Sequence, residues 1–421
     1  MVDTTKVSNG DILVIGGGIS GLTTAVEAAE VGHRVILVEK EPFLGGRVAM
    51  NNKYFTKLCP PSCGLEINFK RIKKNPNICC LTLAEVETIE GGEGNYEVTI
   101  GLNPRYVNEN CTACGKCAEV CVTEIENGFN LGMDKTRAAY LPHPMAFPMR
   151  YVIAPEIIGT EEAKKCLNAC EYGAIDLTMR KETIKVKVGA VVVATGWDPY
   201  DAAKIDNLGF GKCPNVITNV MMERLASPAG PTKGKIVRPS DGKEVKNVIF
   251  AQCAGSRDEN HLPYCSGVCC LASLKQALYV REQDPEAKAT IFYIDVRALG
   301  KYEDFYTKVA MDENISLVKG KVARVEEDPA TKDVVVEAED TLTGDKIKAR
   351  ADMVVLATGM VPHALGSKIG VTYDEFGFVA SDSLRGGIYG AGCVRRPAGV
   401  AESVRDATGV ALKAIQSLVR R

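Results

Sequence analysis

The chain has 421 residues, of which 25% are charged, and a formal net charge of −2. This length allows two or three domains with separate cores, and the balanced charge argues against a nucleic-acid-binding protein. No apolar run approaches the ~20 residues that span a bilayer, and the first residues lack the features of a signal peptide, so we expect a cytoplasmic protein without a direct membrane span. The 16 cysteines are many for such a chain, and in a reducing compartment short cysteine spacings indicate metal or cluster ligands.

A glycine-rich turn, GGGISG, joins the first strand to the first helix. In this fingerprint Gly16 allows a tight turn, Gly18 lets the backbone approach a pyrophosphate, and Gly21 permits close helix–strand packing. Glu39 ends the next strand about twenty residues further on, where an acidic side chain accepts hydrogen bonds from ribose hydroxyls. We therefore predict a dinucleotide site that includes Lys40, with a purely structural glycine turn as the alternative.

Later segments favour FAD over NAD as the bound dinucleotide. A second glycine turn, GGR, supplies a cation suited to the pyrophosphate, while VVVATG and VVLATG are typical of buried strands that end in small-residue turns. Such turns recur in flavoproteins related to disulfide reductases. The segment GIYGAGC resembles their last FAD motif, in which an aspartate usually stands where Cys393 is found here. The FAD residues predicted in these segments are Gly46, Arg47, Ala194, Thr195, Gly196, Gly359, Gly392 and Cys393.

A cysteine motif interrupts the flavin segments. The stretch CTACGKCAEVC has the spacing C-x2-C-x2-C-x3-C, which is specific to ferredoxin-type clusters. In such folds the fourth cysteine ligates the other cluster, so the first three need a distant partner. We predict that this partner is Cys170, with Cys121 as a local alternative and with zinc as the alternative metal. The predicted ligands of one [4Fe-4S] cluster are Cys111, Cys114, Cys117 and Cys170.

The segment around Cys170 resembles the end of a second ferredoxin motif with two ligands missing. At the same spacing before Cys166, Thr160 and Ala163 stand where cysteines are expected. The insert should therefore hold one cluster, and Cys121 and Cys166 should lie close together without one.

A second cysteine run follows the apolar strand NVIFAQC, at the turn where a two-domain flavoenzyme normally carries its second nucleotide loop. Four thiols within this short segment suit an iron–sulfur cluster better than disulfides. The predicted ligands of a second [4Fe-4S] cluster are Cys253, Cys265, Cys269 and Cys270. A cluster in place of a nicotinamide site indicates a protein that passes electrons between clusters and a flavin. Cys59 and Cys63 remain open as further ligands or as a redox-active pair.

Together these segments resemble HdrA, the flavoprotein component of heterodisulfide reductase, over most of the chain. The resemblance is carried by CTACGKC, QCAGSRD, YCSGVCCLASLKQALYVRE and IFYIDVRALGKYEDFY. It implies a cluster on the second cysteine run. It also implies that Lys275 lies near the reactive edge of the flavin, where a cation would stabilise the reduced anion. A solvated surface lysine is the alternative.

Within that family the compact layout is most similar to the flavoprotein subunit of the quinone-interacting membrane-bound oxidoreductase of sulfate reducers. This similarity implies an electron-transfer subunit between the menaquinone pool and adenylylsulfate reductase. Its implied partners are a second flavoprotein of the same family and a membrane cytochrome b/iron–sulfur subunit, which would hold it at the cytoplasmic face of the inner membrane. The alternatives are a soluble heterodisulfide-reductase-type complex, with or without electron bifurcation, and an NAD(P)H-dependent flavin oxidoreductase.

The expected fold is α/β, a thioredoxin-reductase-like, Rossmann-type flavoprotein with two dinucleotide-binding-type domains and an inserted ferredoxin-like segment. We expect the FAD domain to comprise residues 1–105, 181–240 and 350–421. The insert is expected at 106–180, and a smaller α/β domain that carries a cluster at 241–349.

Overall fold

A computed structural model describes residues 10–365, 369–380 and 386–419. The N-terminal residues on which the absence of a signal peptide was argued lie outside these ranges. The chain divides into two compact units, the first comprising residues 1–197, 362–396 and 400–421 and the second residues 198–361 and 397–399. No helix in the described ranges is long and apolar enough to cross a bilayer.

A parallel sheet lies at the centre of the first unit. Its strands are β1 (Ile12–Ile15), β2 (Val35–Glu39), β3 (Ile78–Thr82), β11 (Ala190–Val193) and β22 (Ile388–Gly390), in the order β22-β11-β1-β2-β3. Strand β1 is buried on both faces, with Ile12 and Val14 in one core cluster and Leu13 and Ile15 in another. Two covered faces are what a parallel sheet requires.

Helices and an antiparallel sheet cover the two faces. The helices are α1 (Ile19–Glu30), α2 (Gly46–Met50), α3 (Pro61–Lys74) and α9 (Val400–Val419), and α1 packs against α3 and α9. The antiparallel strands are β4 (Ala84–Gly92), β5 (Asn95–Leu102) and β10 (Glu182–Val188), in the order β10-β5-β4.

The ferredoxin-like insert leaves and rejoins the antiparallel sheet of the first unit at one place. Leu102 at the end of β5 pairs with Glu182 at the start of β10, so the segment between them is a closed excursion. It has its own core, which includes Cys117, Cys121 and Cys166. Its elements are α4 (Lys116–Val120), β6 (Glu124–Glu126), β7 (Lys135–Arg137), β8 (Ala139–Tyr140), β9 (Val152–Ile153) and α5 (Glu161–Asn168).

The second unit is built on another parallel sheet. Its strands are β13 (Val216–Thr218), β14 (Asn247–Ala254), β15 (Lys288–Tyr293), β16 (Ile315–Lys319) and β20 (Met353–Thr358), in the order β13-β20-β14-β15-β16. Its helices are α6 (Asn219–Ala226), α7 (Cys269–Gln283) and α8 (Tyr302–Ala310). An antiparallel sheet consists of β17 (Val322–Glu327), β18 (Val334–Glu339) and β19 (Lys346–Ala351).

The predicted α/β class, with two dinucleotide-binding-type sheets and an insert, is confirmed. The boundaries between the units differ from the expected ones. Residues 198–240 and 350–361 fall in the second unit, because β13 and β20 pair with each other and β20 pairs with β14. The chain crosses between the units at the short strands β12 (Trp197–Pro199) and β21 (Met360–Pro362).

Candidate flavin and iron–sulfur sites

The first glycine turn forms a cradle at the carboxyl end of β1. Gly16 has a φ of +106°, and a Cβ there would lie 2.4 Å from the carbonyl oxygen of Ala194. A Cβ on Gly21 would lie 1.8 Å from the oxygen of Gly16, so α1 begins in direct contact with the turn. Beside Gly18, by contrast, an added Cβ would meet no atom within 4 Å. The open space lies where the fingerprint places the pyrophosphate.

Glu39 is buried at the end of β2 and closes this cradle. Its carboxylate accepts hydrogen bonds from the amides of Gly17, at 2.6 Å, and Glu41, at 2.8 Å. Burial raises the pKa of the Glu39 carboxyl, and the two amide donors act against this rise. The two amides thereby fix the carboxylate at the end of β2, and its contact with a ribose stays a prediction.

The second glycine turn packs against the first. The Gly45 amide donates to the oxygen of Gly17 at 2.8 Å, and a Cβ on Gly46 would lie 2.9 Å from the Cα of Gly18. Only glycines permit this approach. Arg47 follows, and its Nε donates to the carbonyl oxygen of Trp197 at 2.9 Å while its guanidinium lies 5.2 Å from the centre of the Trp197 ring.

His363, which the sequence analysis did not identify, contacts several of the predicted FAD residues in the first unit. The Thr195 hydroxyl donates to the His363 carbonyl at 2.7 Å, and the His363 amide donates to the oxygen of Gly196 at 3.1 Å. Lys40 Nζ lies 3.4 Å from His363 Nε2. No spacing signal marks His363 in the sequence, because its hydrogen bonds join positions that are far apart in the chain.

The last predicted FAD motif is hydrogen-bonded to a carboxylate outside it that sequence reasoning missed. The Gly392 amide donates to Asp406 Oδ2 at 2.7 Å, and Arg395 pairs with Asp406 Oδ1 at 2.7 Å. Asp406 lies on α9, after the position where the related flavoproteins carry their aspartate. Cys393 occupies that position, with its sulfur 3.7 Å from the Ser403 hydroxyl.

In the insert, a pocket is lined by all four predicted ligands of the first cluster. Cys111, Cys114, Cys117 and Cys170 share it with apolar and aromatic neighbours that include Tyr151 and Tyr172. Burial is the main cause that raises the pKa of the Cys117 thiol to about 11, with Cys111 second. Cluster formation must therefore displace the proton of the Cys117 thiol. A pocket that four thiols line fits the predicted group.

Cys121, the alternative fourth ligand, is not among the residues that line this pocket. Cys121 and Cys166 are both 0% exposed. Burial, with the neighbouring Cys121 as the next cause, raises the pKa of the Cys166 thiol to about 12, and this thiol donates to the carbonyl oxygen of Cys117 at 3.5 Å. They lie close together in the core, as the spacing of the motif predicted.

The second cysteine set lies at the carboxyl edge of the second sheet. Cys253 is near the end of β14, and Cys269 and Cys270 begin α7. The Cys269 thiol donates to the carbonyl oxygen of Thr358, the last residue of β20, at 3.5 Å. The Cys270 thiol donates to the carbonyl oxygen of Asp295, just beyond β15, at 3.6 Å. Three adjacent strands therefore converge on this set.

The Cys269 thiol lies close enough to the other three thiols of this set for them to raise its pKa. Burial raises the pKa of the Cys269 thiol, and its neighbours Cys270, Cys253 and Cys265 raise it further, in that order. Across the described ranges no three His, Cys, Asp or Glu side chains come close enough to hold a single metal ion.

Two predicted residues have surroundings that the sequence did not indicate. Lys275 is 5% exposed rather than solvated, and its Nζ lies 3.0 Å from Glu223 Oε1 in the second unit. Gly359 also lies in the second unit, where a Cβ would meet the Ser256 hydroxyl at 2.2 Å. Roles for both toward the flavin remain proposals.

Comparison with known proteins agrees with the glycine cradle. The family model described as FAD dependent oxidoreductase matches residues 11–56, which include both glycine turns and Glu39. Among solved structures, thioredoxin reductase from Lactococcus lactis is similar, with a TM-score of 0.53, 14% identity, and coverage of 98% of this chain and 99% of that one. This likeness shows the fold alone.

Curated relatives are similar over nearly the whole chain, and they are HdrA proteins. One of two such iron–sulfur subunits of the CoB–CoM heterodisulfide reductase of Methanopyrus kandleri is 40% identical over 96% of this chain and 63% of the relative. The HdrA protein of the H2:CoB–CoM heterodisulfide, ferredoxin reductase of Methanothermobacter thermautotrophicus is 37% identical over 100% of this chain and 66% of the relative. The chain thus spans just under two thirds of the length of these relatives.

Proposed function

We propose that this chain, which belongs to the HdrA-like family of flavoproteins, works as an electron-transfer subunit with one FAD and two [4Fe-4S] clusters. The chain is a flavin oxidoreductase subunit. The observation that carries the proposal is the set Cys253, Cys265, Cys269 and Cys270 at the carboxyl edge of the second sheet. In a doubly wound sheet a nucleotide binds at that edge, where the strand order reverses. Four thiols at this edge favour a bound iron–sulfur cluster over a bound nicotinamide nucleotide.

In this proposal, different residues of the chain bind the FAD and the two clusters. The glycine turns and Glu39 hold and orient the dinucleotide, while the cysteine sets hold the clusters through deprotonated sulfurs. A flavin exchanges electrons singly or in pairs, whereas a [4Fe-4S] cluster passes one at a time, so the flavin supplies the conversion between the two. In this proposal the insert cluster is the outward relay, because Cys114, one of its ligands, is exposed.

For the physiological reaction we propose electron transfer between the menaquinone pool and adenylylsulfate reductase. The support is the compact layout of the insert, with half of the second ligand set replaced by Thr160 and Ala163. A second flavoprotein of the family and a membrane cytochrome b/iron–sulfur subunit would be its partners and would hold it at the cytoplasmic face of the membrane. The second candidate is a component of a soluble heterodisulfide-reductase-type complex, which the 40% identity to such a component favours.

Two measurements on the anaerobic, reconstituted chain test the electron-transfer proposal. We expect one FAD and about eight irons per chain, the content of two four-iron clusters. A count near four would remove one cluster site, and near-stoichiometric zinc would contradict the cluster assignment. We also expect NADH and NADPH to leave the flavin absorption unchanged while dithionite bleaches it. Rapid stoichiometric bleaching by either nicotinamide would favour the NAD(P)H-dependent alternative.

A further inference from the structure

Two arginines flank the cysteine set of the second unit. Burial raises the pKa of the Cys253 thiol, whereas the positive charge of Arg257 acts against that rise. The carbonyl oxygen of Asp295, two residues before Arg297, accepts a hydrogen bond from the Cys270 thiol at 3.6 Å. The sulfurs of Cys265 and Cys270 raise the pKa of the Arg297 guanidinium, and Cys265 is the leading cause. Both cations therefore lie within electrostatic range of the predicted ligands.

Asp295 joins the two arginines. Its Oδ1 lies 2.5 Å from Arg257 Nη1 and 3.5 Å from Arg297 Nε. The side chains of Arg257, Asp295 and Arg297 are 25%, 47% and 44% exposed, respectively. Ion pairs at this exposure add only ~0–1 kcal/mol to stability. Their position beside the thiols is therefore better explained by an effect on the charge of the site.

The backbone around Arg257 is held in an unusual conformation. Cys253 and Arg257 have φ values of +57° and +56°, which residues other than glycine rarely adopt. Two backbone bonds hold the loop closed, from Arg257 N to Tyr264 O at 3.1 Å and from Leu262 N to Gly255 O at 3.0 Å. Strained residues persist where the surrounding structure fixes them, commonly at functional sites. Here the two residues are Cys253, a predicted cluster ligand, and Arg257, which follows it in the same loop region.

We propose that Arg257 and Arg297, joined by Asp295, set the reduction potential of the cluster that these four cysteines hold. The inference rests on the proposed function, because it requires a cluster at this place. Reduction adds one negative charge to a cluster, so a nearby cation favours the reduced state and raises the potential, and a nearby carboxylate lowers it. Net charge and hydrogen bonds to the sulfurs are established determinants of cluster potentials.

The test is a redox titration of the reconstituted full chain, followed by the EPR signal of the reduced cluster. At a fixed solution potential, Arg257→Gln should lower the ratio of reduced to oxidised cluster about tenfold, which is ~59 mV for one electron. Arg297→Gln should lower it less, because Arg297 is more exposed. Asp295→Asn should raise the ratio, and Arg257→Lys should restore much of the wild-type value. Each shift should shrink as salt is added, because these charges are partly exposed.

Arg281→Gln is the matched control. Arg281 lies further along α7 and pairs with Asp312 at 3.0 Å, so removing its charge should leave the potential unchanged. Unchanged potentials in fully loaded arginine variants would overturn the inference, as would a downward shift in Asp295→Asn, which would indicate structural loosening. If Arg257→Gln failed to load iron, Arg297→Gln and Asp295→Asn would still give the two opposite signs. A Cys269→Ala protein that retained all its iron would instead contradict the proposed function, because no cluster would then lie at this site.

Discussion

Cys121 and Cys170 are the two candidates for the fourth ligand of the insert cluster, and the structure places them in different surroundings. Cys170 lines the pocket with the other three thiols, and its sulfur accepts a hydrogen bond from the Ala174 amide at 3.3 Å. Such bonds to sulfur are common around clusters and help to set their potentials. Cys121 is enclosed in the core with Cys166. The spacing predicted this division, because the fourth cysteine of such a motif serves another site.

Replacing these two cysteines tests the division. We expect Cys170→Ala to lose about four of about eight irons, since one of the two clusters loses a ligand. Cys121→Ala, the matched control, should keep the full iron and sulfide content because alanine fills the same apolar site. Iron and acid-labile sulfide assays on both variants give the result. Loss of iron from Cys121→Ala with retention in Cys170→Ala would reverse the ligand assignment.

Lys275 is the residue whose surroundings differ most from expectation. Its charge is paired with Glu223, and Gln276 also donates to Glu223 Oε1, at 2.7 Å. Tyr279 donates to Oε2 of the same carboxylate at 3.2 Å. The sequence could not reveal this network, because Glu223 comes from α6, a helix distant in sequence. Any effect of Lys275 on a flavin would act together with the charge of Glu223.

Removing Lys275 should therefore affect stability. Lys275→Ala leaves the Glu223 carboxylate buried without its cation, and breaking a buried pair in this way costs about 3–5 kcal/mol. The double variant Lys275→Met/Glu223→Gln should recover most of that loss, and Lys288→Ala, at an exposed lysine, should change stability by less than ~0.5 kcal/mol. Urea unfolding followed by circular dichroism measures the differences. A Lys275→Ala protein as stable as wild type would contradict the buried pairing.

Helix α5 begins at the two positions, Thr160 and Ala163, where the ferredoxin spacing leads us to expect further cysteine ligands. Thr160 caps the helix, and its hydroxyl accepts from the Ala163 amide at 3.3 Å. Glu162 accepts from the Thr123 hydroxyl and from the amide of Val122, both at 2.5 Å, and from the Thr123 amide at 2.7 Å. These bonds hold the pKa of the Glu162 carboxyl at about 2. The Thr160 cap and the hydrogen bonds of Glu162 thus stabilise the start of α5. In a ferredoxin with two clusters, cysteine ligands would hold the corresponding segment in place.

Restoring the missing ligands should restore the second cluster. In Thr160→Cys/Ala163→Cys, two new thiols would join Cys166 and Cys121 at the ferredoxin spacing, so we expect about four additional irons per chain. The control Thr160→Ser/Ala163→Ser offers no new thiols and should leave the iron content unchanged. Iron analysis with EPR of the reduced protein distinguishes one insert cluster from two. An unchanged iron count in a folded double-cysteine variant would contradict the idea of a former cluster site.

Short sequence motifs predicted the glycine turns and the cysteine sites. The features that they missed depend on contacts between residues far apart in the sequence. The GGGISG turn and the cysteine spacings are short patterns whose geometry follows from the residues themselves. The contact of Asp406 with Gly392 depends on how α9 lies against the turn, which no short pattern specifies. A carboxylate on an amphipathic helix is ordinarily exposed to solvent.

For the whole molecule, the sequence predicted two dinucleotide-type sheets, and the two compact units divide the chain at residues other than the expected domain borders. Val216 of β13 pairs with Val354 of β20, two positions far apart in sequence and both expected in the FAD domain. Strand pairing at such separation is not encoded in local composition. The two sheets carry different chemistry at their carboxyl edges, with glycines in the first unit and cysteines in the second. This contrast is the basis of the electron-transfer account.

The most direct test of that account is transfer of an electron from the flavin to the cluster of the second unit. The flavin of the reconstituted chain is photoreduced anaerobically, and samples are frozen at intervals for EPR. In wild type and in Cys114→Ala, the signal of a reduced [4Fe-4S] cluster should grow as the flavin is reoxidised. In Cys269→Ala, the flavin should bind and stay reduced. Transfer that persists in Cys269→Ala but is abolished in Cys114→Ala would contradict the account.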